Sequence, residues 1–469
     1  MTEPITSIVS RVQKKQSTAE EQVTQALQRA NEYNDEHNIF ISILHKSALK
    51  RAKEIDARLS RGEKVGKLAG VPFVAKDNFL TTRSQTTAAS HILKNYTAPL
   101  QATAIERLEA EGAICIGKTN LDAFAHGSST ENSAFGPTKN AIDTTRVAGG
   151  SSGGSAVAVA LGIVPFALGT DTGGSIRQPA SFNGVVGVKP TYGTISRYGV
   201  VAMASSTDCI GPITASCDDA QYVMSILAGK DAKDPTTLPD FWTPQKSIKK
   251  LRIGIIKDCF NEQLPSDMRK AVTSFCDTAK TKGHDIKEVE LPMIKYAIAM
   301  YYIIVPAEIS SNLARYDGVR YGRRAAADTL SEVYGKSRDE GFMPENKRRI
   351  ILGSYVLSSG FYEAYYNKAQ KARTLLINQY NALFEESDIL ISPVAPTTAF
   401  KLEAFSHDPL HMYLADAMTV PASLAGLPAV SVPWGTDADK LPIGIQLVAH
   451  HQNDATMLAF GAEMEKSRG

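Results

Sequence analysis

Serine and glycine are concentrated in residues 147–187, where the clusters GGSSGGS and TDTGGS flank an apolar run. Glycines beside a serine let successive backbone N–H groups form a concave site for an anion. This pattern predicts Ser175 as a nucleophile, with an oxyanion held by the N–H groups of Thr172, Gly173 and Gly174. A serine nucleophile also needs a group that accepts its proton.

Two side chains are candidates for that proton acceptor. Lys76 ends the apolar run AGVPFVAKD, where burial would favour the neutral amine, although a lysine at a strand end is more often a solvated charge. His126 lies in FAHGSST, but no carboxylate pattern accompanies it, so a structural or pocket role is the better interpretation. The residues alone leave the choice of base open.

Two other interpretations of the glycine-serine stretch fit less well. A phosphate-binding loop requires GxxxxGK followed by Ser or Thr, and a dinucleotide fingerprint requires GxGxxG; this stretch has neither motif. A flexible linker would not contain the apolar segment between the two clusters.

The segment GGSSGGSAVAVALG, continued by ALGTDTGGSIRQPASFNGVVGVKPTYG, resembles the amidase signature family. That family uses a Ser–cis-Ser–Lys triad in place of histidine. The resemblance implies that Ser175 is the nucleophile and that Lys76 is the base. It also implies that Ser151 follows a cis peptide bond and bridges Ser175 and Lys76. Ser152 and Ser155 are expected to cap or pack against the following helix.

The flanking segments GSSTENSAFGPTKN and DPLHMYLADAMTVPASLAGLPAVSVP resemble, within that family, the A subunits of glutamyl-tRNA(Gln)/aspartyl-tRNA(Asn) amidotransferases. Those subunits hydrolyse L-glutamine and supply ammonia for amidation of an aminoacyl-tRNA. The resemblance implies that Arg349 and Asp416 hold the two charges of glutamine, while Arg348 and Arg373 are structural cations.

The resemblance also implies partners. We expect a heterotrimer with B and C subunits, misacylated tRNA held through a partner chain, and ATP and Mg²⁺ used by a partner, with no cofactor or metal in this chain. Net charge supports this division, because 51 basic and 49 acidic residues predict no large basic face for RNA. The alternative function is a stand-alone amidase that hydrolyses small or peptide amides.

Two positions depart from the pattern of those subunits. His126 stands where the pattern has methionine, and Trp434 stands where it has a smaller residue. Five cysteines without a CxxC pair predict reduced core thiols and a cytoplasmic protein. The N-terminus lacks a signal-peptide core, and no charge-free apolar stretch of membrane-spanning length occurs, so no membrane is expected.

Strand and helix patterns alternate along the first half of the 469 residues and predict an α/β fold, in which helices cover both faces of a large mixed sheet. Predicted strands include AGVPFVAKD, AICIGKT and FALGT, and strands return in DILISP, PAVSVPW and PIGIQLVA. We expect one amidase domain over residues 1–469, mainly helical from about 231 to 381. A capping box is predicted at residues 17–20.

Overall fold

The computed structural model describes residues 3–245, 247–260, 264–406 and 408–468. These residues contain one eleven-stranded mixed sheet with helices packed against it, which confirms the predicted α/β fold class. The strands are β1 (Phe40–Ile43), β2 (Pro72–Lys76), β3 (Ile114–Thr119), β4 (Phe166–Asp171), β5 (Val186–Lys189), β6 (Cys209–Thr214), β7 (Arg252–Ile256), β8 (Asp285–Val289), β9 (Ile389–Pro393), β10 (Ala429–Thr436) and β11 (Pro442–Ala449).

Fifteen α-helices lie within the described ranges. They are α1 (Ile5–Gln13), α2 (Ala19–His37), α3 (His45–Ser60), α4 (Thr103–Ala110), α5 (Gly153–Ala160), α6 (Arg177–Asn183), α7 (Cys217–Leu227), α8 (Ser266–Thr281), α9 (Ala297–Asn312), α10 (Leu330–Gly341), α11 (Pro344–Val356), α12 (Lys368–Glu386), α13 (Pro409–Leu414), α14 (Val420–Leu424) and α15 (Asp454–Ser467).

The strand order is β1-β3-β2-β4-β6-β5-β10-β11-β9-β7-β8. β2 runs parallel to both of its neighbours, β3 and β4. The carboxyl ends of these three strands therefore meet at one edge of the sheet, where chain crossovers leave room for a site. All residues of the three strands are buried, as expected for apolar runs covered on both faces.

The described part of the region 231–381 contains two strands in addition to its helices. β7 and β8 pair in parallel at one end of the sheet. β8 has the sequence DIKEV and is largely exposed, so no apolar run marks it as a strand. That the whole chain forms a single domain stays a prediction.

The predicted capping box is shifted by one residue. Thr18, not Ser17, is the N-cap of α2, and its side chain accepts a hydrogen bond from the backbone N–H of Glu21. The Glu21 carboxylate accepts from the Thr18 backbone N–H and from the Ser17 hydroxyl. Ser17 and Thr18 are each followed three residues later by a glutamate, so the sequence pattern alone does not distinguish the two registers of the capping box.

The five cysteines are free and buried in the described structure. Among the described residues, one helical stretch, Pro292–Arg315, is long and apolar enough to cross a membrane by length and composition, with a mean hydropathy of 1.2. Half of its most apolar window is buried inside the fold, and core helices pass the same test, so this is weak evidence for a membrane span. It does not overturn the expectation of no membrane.

Candidate active site

The side chain of Lys76 is fully buried at the carboxyl end of β2 and is surrounded by hydroxyl groups. Its Nζ lies 2.7 Å from Ser151 Oγ, 3.0 Å from Ser152 Oγ and 2.9 Å from Thr170 Oγ1. None of its hydrogen-bond partners within the described residues is a carboxylate. The predicted pair of Lys76 and Ser151 is therefore in direct contact.

Burial lowers the pKa of Lys76 to about 7, because the ammonium loses its hydration. Three carboxylates act in the opposite direction: the charges of Asp122, Asp171 and Asp208 favour the protonated form. Desolvation dominates, so a substantial fraction of the amine is neutral near neutral pH. This is the form that a general base requires.

The hydrogen bonds around Lys76 suit a neutral amine, which has two hydrogens and one lone pair. The Ser152 hydroxyl can donate to the Thr170 carbonyl, 3.2 Å away, which leaves its oxygen free to accept from Nζ. Thr170 Oγ1 can accept the second hydrogen. The lone pair is then available for the hydroxyl proton of Ser151.

The peptide bond Gly150–Ser151 is cis, as the family resemblance implies. Ser152 stands at the N-cap of α5 but makes no capping hydrogen bond, so the expectation that it caps the helix is wrong. Its hydroxyl is instead directed to Lys76. Ser155 lies within α5 itself, and its hydroxyl donates a 3.0 Å hydrogen bond to the Leu168 carbonyl of β4, so it neither caps that helix nor packs against it from outside.

Ser175 lies in the loop between β4 and α6 and is 8% exposed. Its carbonyl accepts a 3.0 Å hydrogen bond from the backbone N–H of Ser152, which places the two serine loops side by side. Within the described residues its Oγ makes no hydrogen bond, so the contact with Ser151 that the triad requires is not formed here. Catalytic hydrogen bonds often tighten only when substrate binds.

The backbone N–H groups of residues 172–175 make no hydrogen bond in the ranges that the structure describes. They include the predicted oxyanion donors Thr172, Gly173 and Gly174. The N–H groups of the next two residues differ, because both donate to the Asp171 carboxylate. The arrangement therefore supports the prediction that residues 172–174 hold an oxyanion, with the N–H of residue 175 as a further donor.

Packing explains why positions 173 and 174 are glycines. A Cβ on Gly173 would lie 2.7 Å from the Tyr301 hydroxyl oxygen, and a Cβ on Gly174 would lie 2.2 Å from Thr419 Oγ1. Gly174 also has a φ of +146°, which side chains disfavour. The sequence interpretation assigned these glycines to ligand access alone, whereas protein side chains also fill the space beside them.

The ion pair between Asp171 and Arg177 braces this loop. The Arg177 guanidinium donates two 2.9 Å hydrogen bonds to the Asp171 carboxylate, and both side chains are fully buried. Burial alone would raise the pKa of Asp171, but the charge and hydrogen bonds of Arg177 outweigh it and the pKa is lowered. Arg177 also donates to the Thr419 carbonyl and to Gln446.

Arg349 is buried on α11, although a lone arginine in a helix would by default be a surface charge. Its Nε donates to Glu345 at 2.8 Å. Its guanidinium carbon lies 5.2 Å from the ring centroid of Tyr302 and 5.6 Å from that of Tyr413, and these two rings stack at 3.9 Å. The aromatic pair fixes a buried cation.

Asp416 is buried between α13 and α14. Its Oδ2 accepts a hydrogen bond from the Ser128 hydroxyl, but its buried Oδ1 has no partner among the described residues. Burial raises the pKa of Asp416 to about 7, against the Ser128 hydrogen bond and the positive charge of Arg349. An unpartnered carboxylate oxygen can accept from a ligand ammonium.

A cavity of about 410 Å³ is lined by Arg349 and by Ser128, the hydrogen-bond partner of Asp416. The residues that line the cavity also include His126 and Asp122. The Asp122 carboxylate packs against the cis peptide, because a Cβ on Gly150 would lie 2.2 Å from its Oδ2. In the described part of the chain, no group of three or more His, Cys, Asp or Glu side chains could hold a metal ion. The lining of the cavity offers charges and hydrogen bonds to a ligand.

The two remaining cations have structural contacts. Arg348 is exposed and pairs with Glu345. Arg373 donates to the Leu424 carbonyl at 2.7 Å and to the Ser206 hydroxyl at 3.1 Å. These contacts agree with the structural roles expected for both.

The sequence interpretation missed Ser152, Thr170 and Asp122 as neighbours of the lysine-serine centre. Ser152 had a signal, because it directly follows the predicted bridging serine. Thr170 lies near the end of a strand parallel to the strand of Lys76, so strand order would have revealed it. Asp122 had no signal in its local sequence.

Comparison with known proteins defines the class of this protein. The model of the amidase family matches residues 21–458, and the chain belongs to that family. The fold, the cis peptide and the buried lysine-serine centre agree with the resemblance seen in the sequence, which is confirmed.

The relatives are A subunits of glutamyl-tRNA(Gln) amidotransferases. The one from Koribacter versatilis is 48% identical over 461 residues, covering 97% of this chain and 96% of that protein. The one from Gloeobacter violaceus is 49% identical over 464 residues, covering 98% and 95%. The crystal structure of the Thermotoga maritima protein of the same description matches with a TM-score of 0.81 and 39% identity, covering 96% of this chain and 91% of that chain.

Proposed function

We propose that this chain hydrolyses L-glutamine as the glutaminase component, the A chain, of a tRNA-dependent amidotransferase. One observation carries the proposal: a buried cation, Arg349, lines the same cavity as Ser128, and Ser128 binds the buried carboxylate of Asp416, which has an unpartnered oxygen. Free glutamine carries an α-carboxylate and an α-ammonium, which such a pair complements. The full-length similarity to amidotransferase A subunits supports the same assignment.

The reaction begins with a proton relay. Neutral Lys76 accepts the proton of Ser151, and Ser151 accepts the proton of Ser175 as the Ser175 oxygen attacks the carboxamide carbon of glutamine. The N–H groups of Thr172, Gly173 and Gly174 hold the oxyanion that develops.

The tetrahedral intermediate then collapses. The relay returns a proton to the departing nitrogen, and ammonia leaves while a γ-glutamyl ester remains on Ser175. Water attacks the ester and releases L-glutamate, with Lys76 and Ser151 again moving the proton.

The ammonia is used by partner subunits. In this proposal the chain forms a cytoplasmic heterotrimer with B and C subunits, and a partner holds misacylated Glu-tRNA(Gln), or Asp-tRNA(Asn). ATP and Mg²⁺ act at the partner, and the chain works as one domain without a cofactor of its own. The balance of 51 basic and 49 acidic residues supports RNA binding elsewhere in the complex.

The test is ammonia release from L-glutamine by the full chain, alone and with candidate partner subunits and Glu-tRNA(Gln). Release that depends on or rises with partners and tRNA supports the proposal. A chain that ignores glutamine but cleaves simple amides, with no effect of partners, is a stand-alone amidase. In that case the roles of Arg349 and Asp416 are wrong.

A further inference from the structure

His126 is fully buried and follows a short segment with an unusual backbone. Phe124 and Ala125 both have positive φ values, 54° and 64°, which cost energy for residues other than glycine. Phe124 is held in place by Tyr316 and Phe342, whose ring centroids lie 5.0 and 5.4 Å away. Packing therefore fixes the position of the imidazole that follows.

The tautomer of His126 follows from the hydrogen bonds of Asn346 on α11. Asn346 Oδ1 accepts from the backbone N–H of Met343, so its Nδ2 is the group that faces the Ala123 carbonyl and His126 Nδ1, both at 2.8 Å. The amide nitrogen donates one hydrogen to each. His126 Nδ1 is therefore an acceptor, and in the neutral ring the proton resides on Nε2.

The imidazole is neutral in this environment. Burial, together with the positive charge of Arg349, holds the pKa of His126 well below its usual value. The Nε2–H is consequently a donor, and Nε2 has no partner among the described residues although it is buried. A buried donor without an acceptor is costly in a protein interior unless a ligand satisfies it.

The surroundings of His126 define the ligand that this donor would meet. His126 lines the 410 Å³ cavity together with Arg349, and its partner Asn346 lies one helical turn before Arg349. Two residues further along the chain, Ser128 binds Asp416. The Nε2–H of His126 is a hydrogen-bond donor and cannot bind an ammonium, which is also a donor. In a substrate that carries both an ammonium and a carboxylate, it therefore suits the carboxylate.

We propose that His126 is a specificity-determining residue: its Nε2–H donates a hydrogen bond to the substrate's α-carboxylate beside Arg349. The inference rests on the proposed function, in which the substrate is L-glutamine. It assigns to this chain a substrate contact that a methionine at the same position could not make, because a thioether has no hydrogen to donate.

Two conservative variants separate binding from structure. His126→Asn places an amide oxygen near the position of Nδ1, so the contact with Asn346 is kept while the Nε2 donor is removed. His126→Gln places an amide nitrogen near Nε2, so the donor is kept while the contact with Asn346 is lost. A purely structural histidine would tolerate the asparagine variant better, and a carboxylate-binding histidine would tolerate the glutamine variant better.

The experiment measures kcat and KM for ammonia release in the full chain with its partner subunits, using L-glutamine and 4-aminobutanamide, which lacks the α-carboxylate. We expect His126→Asn to raise KM for glutamine about tenfold to a hundredfold, as for loss of a hydrogen bond to a charged group. His126→Gln should raise it less. Neither variant should change KM for 4-aminobutanamide relative to wild type.

The failures are distinguishable. If wild-type protein releases no ammonia from glutamine, the proposed function is wrong and the inference is wrong with it. Only the role of His126 is overturned if wild type is active and His126→Asn has the same KM for glutamine as wild type. The same holds if His126→Asn loses activity equally on glutamine and on 4-aminobutanamide. Better retention by His126→Asn than by His126→Gln would likewise show that the contact with Asn346 is what matters.

Discussion

Lys76 Nζ lies 2.7 Å from Ser151 Oγ in a fully buried contact that contains no carboxylate partner. A second buried lysine, Lys118 on the adjacent strand β3, differs because it does have a carboxylate partner. Its Nζ lies 2.6 Å from an oxygen of Asp77. A carboxylate stabilises an ammonium, whereas hydroxyl groups accommodate a neutral amine. Two buried lysines on neighbouring strands thus have different chemistry, and the one beside the serine is suited to act as a base.

Ser175→Ala should abolish amide hydrolysis, lowering kcat by about 10³-fold or more, because the nucleophile is removed. The fold should be unchanged, since Ser175 Oγ makes no hydrogen bond in the described structure. Ammonia release and the thermal unfolding midpoint measure the two effects. Turnover that survives the substitution would exclude Ser175 as the nucleophile.

Lys76→Met should be nearly as damaging, because the triad residues act as a unit and methionine keeps the length of the side chain without a base. The matched control is Lys118→Met with Asp77→Asn, which removes the neighbouring buried ion pair as a unit. The control should reduce stability in urea unfolding but leave measurable ammonia release. A mild loss in Lys76→Met would indicate a different base.

Activity should fall as the pH falls below about 7. The pKa of Lys76 is lowered to about 7 by burial, and only its deprotonated form can accept the proton of Ser151. Since the neutral fraction of an amine increases with pH, kcat/KM should rise with pH through this value and then level off. Asp122→Asn removes a negative charge that favours the ammonium form of Lys76, so it should shift the rise of kcat/KM to lower pH. A shift to higher pH would contradict the assignment.

Asp416→Asn should raise KM for L-glutamine about tenfold to a hundredfold, because it removes the negative charge opposite the substrate ammonium. The matched substrate is glutaramic acid, which is glutamine without its α-amine, and its KM should not increase. Arg349→Met should raise KM only for substrates that carry the α-carboxylate. Equal losses on all amides would mean that the two residues only support the fold.

Six of the eleven described strands were predicted from apolar runs, namely β2, β3, β4, β9, β10 and β11, whereas β1, β5, β6, β7 and β8 were not. β2, β3 and β4 are short apolar runs, and the structure has them as buried neighbouring strands. β8 was not predicted, because its residues Asp285–Val289 are mostly polar and exposed. Its place in the sheet is set by pairing with β7, which no local window reveals.

The candidate site was predicted unevenly for a similar reason. Lys76, Ser151 and Ser175 lie in motifs, whereas Arg349 and Asp416 were placed only by resemblance. The side chains that set their properties come from distant segments: Thr170 reaches Lys76 across 94 residues, and Ser128 reaches Asp416 across 288. The tautomer of His126 likewise depends on Asn346, 220 residues away. Such contacts follow from the tertiary fold.

The most direct test of the central claim is to trap the covalent intermediate. The full chain with its partner subunits is mixed with L-glutamine, quenched in acid within the first turnover, digested and examined by mass spectrometry. We predict a γ-glutamyl group on the peptide that contains Ser175, and none in the Ser175→Ala variant. A γ-glutamyl group on another residue, or ammonia release during the same interval with no modified peptide, would contradict the account.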